Sequence, residues 1–250
     1  MSNLLRQIPL LLIALLSFNA HAAVTLVSGQ TFTQAADHWG ASTSAAAKDL
    51  PVAATAGNLI VVGIVYAEGA GTEDVISIDD AGSTVYALVR QQQDPSTLGV
   101  TLEIWAGIAA GVNAGQDVVV TVQTIASSSN HFIGLLEFAG VDADQTGLPG
   151  NGANTGSATS HDSGSVTPGV ADNVIVAITS GSNRDWGNDA DFTNVYDSSR
   201  SLFSYKIQSA NTAQSFTATS DTAGFCVLDI AAFRGAAGGA SGLLLRRRRN

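Results

Sequence analysis

The sequence predicts an all-β fold, a single jelly-roll-like antiparallel β-sandwich built from two interleaved halves, and three observations carry that expectation. Residues 59–66 (LIVVGIVY), 100–108 (VTLEIWAGI) and 132–139 (FIGLLEFA) are short runs of Val, Ile, Leu and aromatics bounded by Gly, Asn, Asp and Ser, which is strand composition. After residue 22 no apolar pattern of period 3.6 is long enough for a helix. The two halves also echo each other: GNLIVV at 57–62 resembles DNVIVA at 172–177, LEIWAGI at 102–108 resembles LFSYKI at 202–207, and LLEFA at 135–139 resembles VLDIA at 227–231. The offsets are 115, 100 and 92 residues, and a shrinking offset fits interleaved halves better than an array of equal repeats.

The rest of the mature chain divides accordingly. Residues 24–27 open as a short strand, and 28–56 are Ala-, Ser- and Thr-rich, a loop with room for one strand. A strand at 75–78, the turn Asp79-Asp80-Ala81-Gly82 and a strand at 84–89 read as a hairpin, because Asp and Gly supply caps and a positive φ. Residues 117–123 are dense in valine, and 132–139 are apolar on both faces, which places that strand in mid-sheet under cover on both sides. Residues 140–169 are dominated by Gly, Ser, Thr, Asn and Asp and read as an internal loop or linker. Strands follow at 172–179, 192–196, 201–208, 214–218 and 225–233.

Charge and cysteine content exclude several classes. All 21 acidic residues lie between residues 23 and 245, against six basic ones, so that span carries a net charge of −15. Such a surface repels nucleic acid and anionic lipid. Cys226 is the single cysteine, so no disulfide forms within the chain, and its apolar surroundings mark it as a small buried hydrophobe.

The ends read as addresses. Arg6, the apolar run 8–16 and Ala20-His21-Ala22 form the three regions of a secretory signal, with a run too short to span a bilayer. Residues 1–22 are therefore expected to be removed by a signal peptidase, leaving a sandwich domain over 23–234. At the other end, residues 235–250 join a Gly/Ala/Ser stretch, Leu243–Leu245 and Arg246–Arg249. This tail resembles the exosortase- and rhombosortase-type sorting signals of Gram-negative bacteria, and that resemblance implies a sorting protease as partner and a secreted or cell-surface location. It departs from them in having Gly238-Gly239 in place of Pro-Glu-Pro and in the shortness of its leucine run. A disordered basic tail is the other reading.

The order AGNLIVVGIVYA, ISIDDAGSTVYALV, LEIWAGIAAGVNAGQDVVVTV, IGLLEFAGVD and GSVTPGVADNVIVAI resembles a β-sandwich domain recurrent in secreted bacterial and phage-tail proteins. The likeness spans residues 50–233 and rests on sheet patterning. It implies a jelly-roll-like surface module without catalysis, and it assigns no functional residues.

No nucleophile elbow, H-E-x-x-H or C-x-x-C occurs. His161-Asp162-Ser163 holds triad residue types, but adjacency in a loop cannot arrange them as nucleophile, base and orienter, so a solvated loop is expected. His131 reads as a structural histidine entering a strand. Two loops invite ligands. Asp142-Ala143-Asp144-Gln145-Thr146-Gly147 begins like a calcium loop, and Asp189 and Asp191 sit in a second oxygen-rich turn, which makes Asp142, Asp144, Asp189 and Asp191 the candidate calcium ligands. Residues 180–191 (SGSNRDWGNDAD) offer Arg184, Asp185, Trp186 and Asn188, an aromatic face with hydrogen-bonding neighbours suited to a sugar ring. The competing expectation is that Trp186 folds back as a plug over the sandwich end. The sequence thus leads to an adhesive or structural surface protein with glycans or other surface proteins as partners. The alternatives are a lectin-like module working through Trp186 and a secreted hydrolase using acids such as Asp79 or Asp189.

Overall fold

Gly57 (φ 92°) and Asp172 (φ 52°) both lie in the left-handed region, which glycine adopts freely and aspartate tolerates. Each is followed by an asparagine and then by a run of buried strand residues, 59–66 and 174–181, so the echo at offset 115 is a structural equivalence. The computed structural model describes residues 23–27, 45–49, 53–67, 75–94, 99–114, 117–122, 132–142, 148–149, 153–181, 185–197 and 201–236. Its first part contains β1 (Thr25–Leu26), β2 (Ala45–Asp49), β3 (Leu59–Ala67), β4 (Val75–Asp80), β5 (Ala87–Asp94), β6 (Val100–Ile108), β7 (Asp117–Val122) and β8 (Phe132–Ala139). The second contains β9 (Leu148–Pro149), β10 (Ala153–Val166), β11 (Asn173–Gly181), β12 (Trp186–Gly187), β13 (Thr193–Asp197), β14 (Ser201–Gln208) and β15 (Gln214–Arg234).

All the described strand pairings are antiparallel, as expected of the β-sandwich class. The first part builds an inner sheet in the order β1-β8-β3-β6-β5 and an outer sheet β2-β7-β4. The second part builds one sheet in the order β10-β15-β11-β14-β13, with β12 and β9 also paired to β15. Strand for strand, the two parts correspond. β8, β3, β6 and β5 run in the same order as the later part of β15, β11, β14 and β13, while β2, β7 and β4 match β10, the start of β15 and β12. Even a bulge recurs, between Leu88 and Arg90 in one edge strand and between Asn194 and Tyr196 in the other. Bulged edges resist pairing with foreign strands.

Three apolar layers hold the strands. The central one joins the two inner sheets, with Val61, Leu102, Ile104 and Phe138 against Val176, Phe203, Ala231 and Phe233. A second lies between the first inner sheet and its outer cover, Ile60, Val62, Ile64 and Leu135 meeting Val118, Val120 and Ile78. In the third, Ile175, Ala177, Leu228 and Ile230 meet Phe216, Ala218, Trp186 and Val166. Burial on both faces explains why β3 and β11 are apolar without alternation, each large side chain contributing about 1.5–3 kcal/mol.

At the centre, Gly63 and Gly134 face each other across β3 and β8. A Cβ on either would meet the ring of Phe203 at 2.5 or 2.7 Å. The glycine pair is the seat of that ring, and Phe132 meets it edge-on at 5.7 Å while stacking on Tyr196 at 4.5 Å. At the far end of the layer the two parts pair directly: Val141 bridges Gly235, the Asp142 amide donates to Arg234 O and the Ala236 amide donates to Gly140 O. The folded body therefore reaches Ala236, two residues past the expected boundary.

The structure corrects four expectations. The halves do not interleave: no strand of β1–β8 enters the second sheet, and the two units stack face to face. The turn after Asp80 does not close a hairpin, because β4 pairs with β7 and β5 with β6. The chain changes layers there, with the Asp80 carboxylate accepting from the Thr84 amide and the Tyr86 hydroxyl. Residues 153–166, expected in a loop, are strand β10. Finally, 214–218 and 225–233 are one strand, β15, that passes from the outer layer into the inner sheet. Its register against β10 slips between Ala158↔Gly224 and Ser160↔Thr219.

Candidate functional site

The polar residues singled out from the sequence are placed in three ways. Trp186 is buried (4% exposed), its indole in the apolar layer with Phe192 and Phe216 and its ring 5.4 Å from that of His161. The indole is packed inward, the plug arrangement that the sequence offered as the competing expectation for Trp186. Asn188 is spent locally: its amide group donates to Asp189 O and Phe192 O, and its Oδ1 accepts from the Ser204 hydroxyl. Asp185 is exposed, and Arg184 lies outside the described residues.

Of the candidate calcium ligands, the described ones are Asp142, Asp189 and Asp191, and they are engaged separately. Asp189 accepts from the Asp191 amide through Oδ1 and from the Thr217 amide through Oδ2. Asp191, 73% exposed, pairs with Lys206 at 3.0 Å. Asp142 stands at the junction of the two units, and Asp144 lies outside the described residues. Among the described residues, no group of three His, Cys, Asp or Glu is close enough to hold a metal ion.

His161 and Ser163 are buried on one face of β10. The His161 Nε2 lies 3.0 Å from Ala158 O, while the Ser163 hydroxyl donates to Gly164 O and accepts from the Phe216 amide. Each is committed to backbone, which is a structural arrangement. Burial holds the His161 imidazole below its ordinary value of 6.5, so the fold prefers the neutral ring. The unfolded chain binds that proton more readily, so this contribution to stability is present above pH 6.5 and is lost as pH falls. Lowering the pH from 7 to 5 should reduce the urea midpoint of the wild type relative to that of His161→Gln. An unchanged difference between the two would remove the ring from that account.

Sequence reasoning missed the buried acids. Glu137 accepts from the Thr55 amide at 2.9 Å and from Asn58 Nδ2 at 2.6 Å, fixing the turn that starts β3. Glu103 accepts from the Tyr66 hydroxyl, Gln91 Nε2 and Trp105 Nε1 beneath the outer sheet. Asp229 faces the layer between the units, where its Oδ1 accepts from Arg90 Nε at 3.0 Å and from the Ile230 amide, while Oδ2 has no partner. Arg90 is 28% exposed and Asp229 wholly buried, and the Arg90 guanidinium also donates to Gln92 Oε1. The signal for Asp229 was present as one acid inside the apolar run CVLDIAAF at 226–233. Ser180 and Ser201 face each other across β11 and β14 two residues away, also buried. Asp229, Ser180 and Ser201 thus put buried polar groups at the joint between the units.

Compared with known proteins, the chain matches no family model, no curated protein and no solved structure.

Proposed function

We propose that the chain is an exported, non-catalytic β-sandwich of the cell surface or extracellular matrix, with an adhesive or structural role. The observation that carries this reading is how its buried polar side chains are used. Glu137 ties a turn to a sheet, Glu103 ties β3, β5 and β6 together, Ser163 ties β10 to β15, and Asp229 ties one unit to the other. Groups that could act on a substrate are instead joints between strands. The signal-like residues 1–22, the acidic balance and the resemblance to secreted surface sandwiches support the location.

The test is to produce the full chain in a Gram-negative host, sequence the product's N-terminus and compare attachment of cells with and without it. A product starting at Ala23 in the surface or medium fraction, with increased cell attachment, is expected. A cytosolic product that retains Met1 would overturn the export, and a hydrolytic activity abolished by His161→Ala in a folded protein would overturn the non-catalytic reading.

A further inference from the structure

The layer between the units is polar at one end where its duplicate is apolar. In the first unit Val65 pairs with Leu102, and Gly134 stands opposite Gly63, two residues before Val65. In the second unit the same register positions are held by Ser180 opposite Ser201, with Asp229 opposite Ile178. The fold itself does not require polarity there, since the first copy is built from Val, Leu and Gly. Burying polar atoms without partners opposes folding, yet Ser180 Oγ and Asp229 Oδ2 are both buried without one. The equivalent edge positions differ in the same way: Arg90 reaches Asp229, while Tyr196 stacks on Phe132.

We propose that buried Asp229, paired with Arg90, makes the joint between the two stacked units pH-sensitive: the stacking is favoured when the carboxyl is neutral and weakened when it carries charge in the apolar layer. As a carboxylate, Asp229 has one oxygen satisfied by Arg90 and the Ile230 amide and a second left in an apolar layer without a donor. Protonation removes that unsolvated charge, and Arg90, partly exposed, keeps its own solvation. Burial pushes the Asp229 carboxyl up to about 7, against the pull of Arg90 and the Ile230 amide.

The neighbours leave Arg90 as the charged partner among the described side chains. β5 presents Arg90 and the neutral Gln92, β6 presents Leu102 and Ile104, and β11 presents Ile178 and Ser180. β14 presents Ser201 and Phe203, β9 is Leu148–Pro149, and β10 has no ionisable residue between 153 and 160. Because the folded value lies above the ordinary 3.8, the stability from this group is full below about pH 4 and lost as pH rises through 7.

The experiment uses the mature chain and Asp229→Asn, which keeps the shape and removes the ionisation. Amide exchange of β5 and β15, corrected for intrinsic rates, is read from pH 5 to pH 8, and the Asp229 carboxyl is titrated directly by carbon NMR in the wild type. The wild-type exchange should speed up roughly tenfold or more across that range relative to the variant, and the carboxyl should titrate near neutrality. His161 and Asp197 titrate in both proteins, so their effects cancel in the comparison. Parallel exchange profiles, or a carboxyl that titrates in the ordinary carboxylate range, would overturn the joint. If the variant does not fold, the wild-type titration alone decides between these outcomes.

Discussion

Phe203→Ala is expected to destabilise the protein by about 3–5 kcal/mol, the range for deleting a large buried aromatic. The ring has no exposed surface, rests on Gly63 and Gly134, and meets Phe132 edge-on. Its loss opens a cavity between two glycines that have no side chains to fill it. Gly134→Val should also destabilise, by overfilling, since its added Cβ would already meet Phe132 and Phe203 below 3 Å. Urea unfolding monitored by circular dichroism checks both. A loss below 1 kcal/mol for Phe203→Ala would mean that the ring does not hold the units together.

The second large effect is expected on separating the units. Each inner sheet has one face covered by its own unit and one covered only by the other, as the shared layer of Val61, Ile104 and Phe138 with Val176, Phe203 and Phe233 requires. Residues 148–236 expressed alone would expose that second face, and a bare apolar sheet face aggregates. Residues 23–142 alone should behave in the same way. Cleavage of the intact body is tolerable only where no strand is cut, and residues 153–166 are therefore unsuitable because they are β10. A soluble, monomeric 148–236 with dispersed amide resonances would show that the units are independent domains.

The sheet architecture was legible wherever a strand was apolar on both faces or bounded by turn residues. β3, β6, β8, β11 and β14 fall where the pattern places them. The duplication was legible at one strand and misaligned at two others. Val174 does correspond to Leu59, but the pairing that aligns these two puts Ile207 at Ile108 and Phe233 at Phe138, offsets of 99 and 95. Matching Leu102 with Leu202 or Leu135 with Val227 puts one of each pair on the opposite face. A slip by an odd number of residues exchanges the faces, and strands apolar on both sides give no penalty in the sequence for such a slip.

β10 was hidden for the opposite reason. Where its burial is described, from 157 to 166, the buried positions are His161, Ser163 and Val166 with Asp162 and Ser165 exposed, so polar residues stand where alternation would show hydrophobes. Trp186 drew attention as a binding face because its neighbours in sequence are polar, while its neighbours in space are Phe192, Phe216 and His161. Asp229 was overlooked because an acid in an apolar strand gains its meaning from Arg90, 139 residues away.

The claim that the molecule is two copies of one unit folded as a single body is tested most directly by amide exchange at increasing urea. Peptides from β3 and β6 report on the first unit, and peptides from β11 and β14 on the second. The stacked, shared layer predicts that both sets lose protection together, along one curve with one midpoint and one urea dependence. Loss of protection in one unit at urea concentrations where the other remains protected would contradict it.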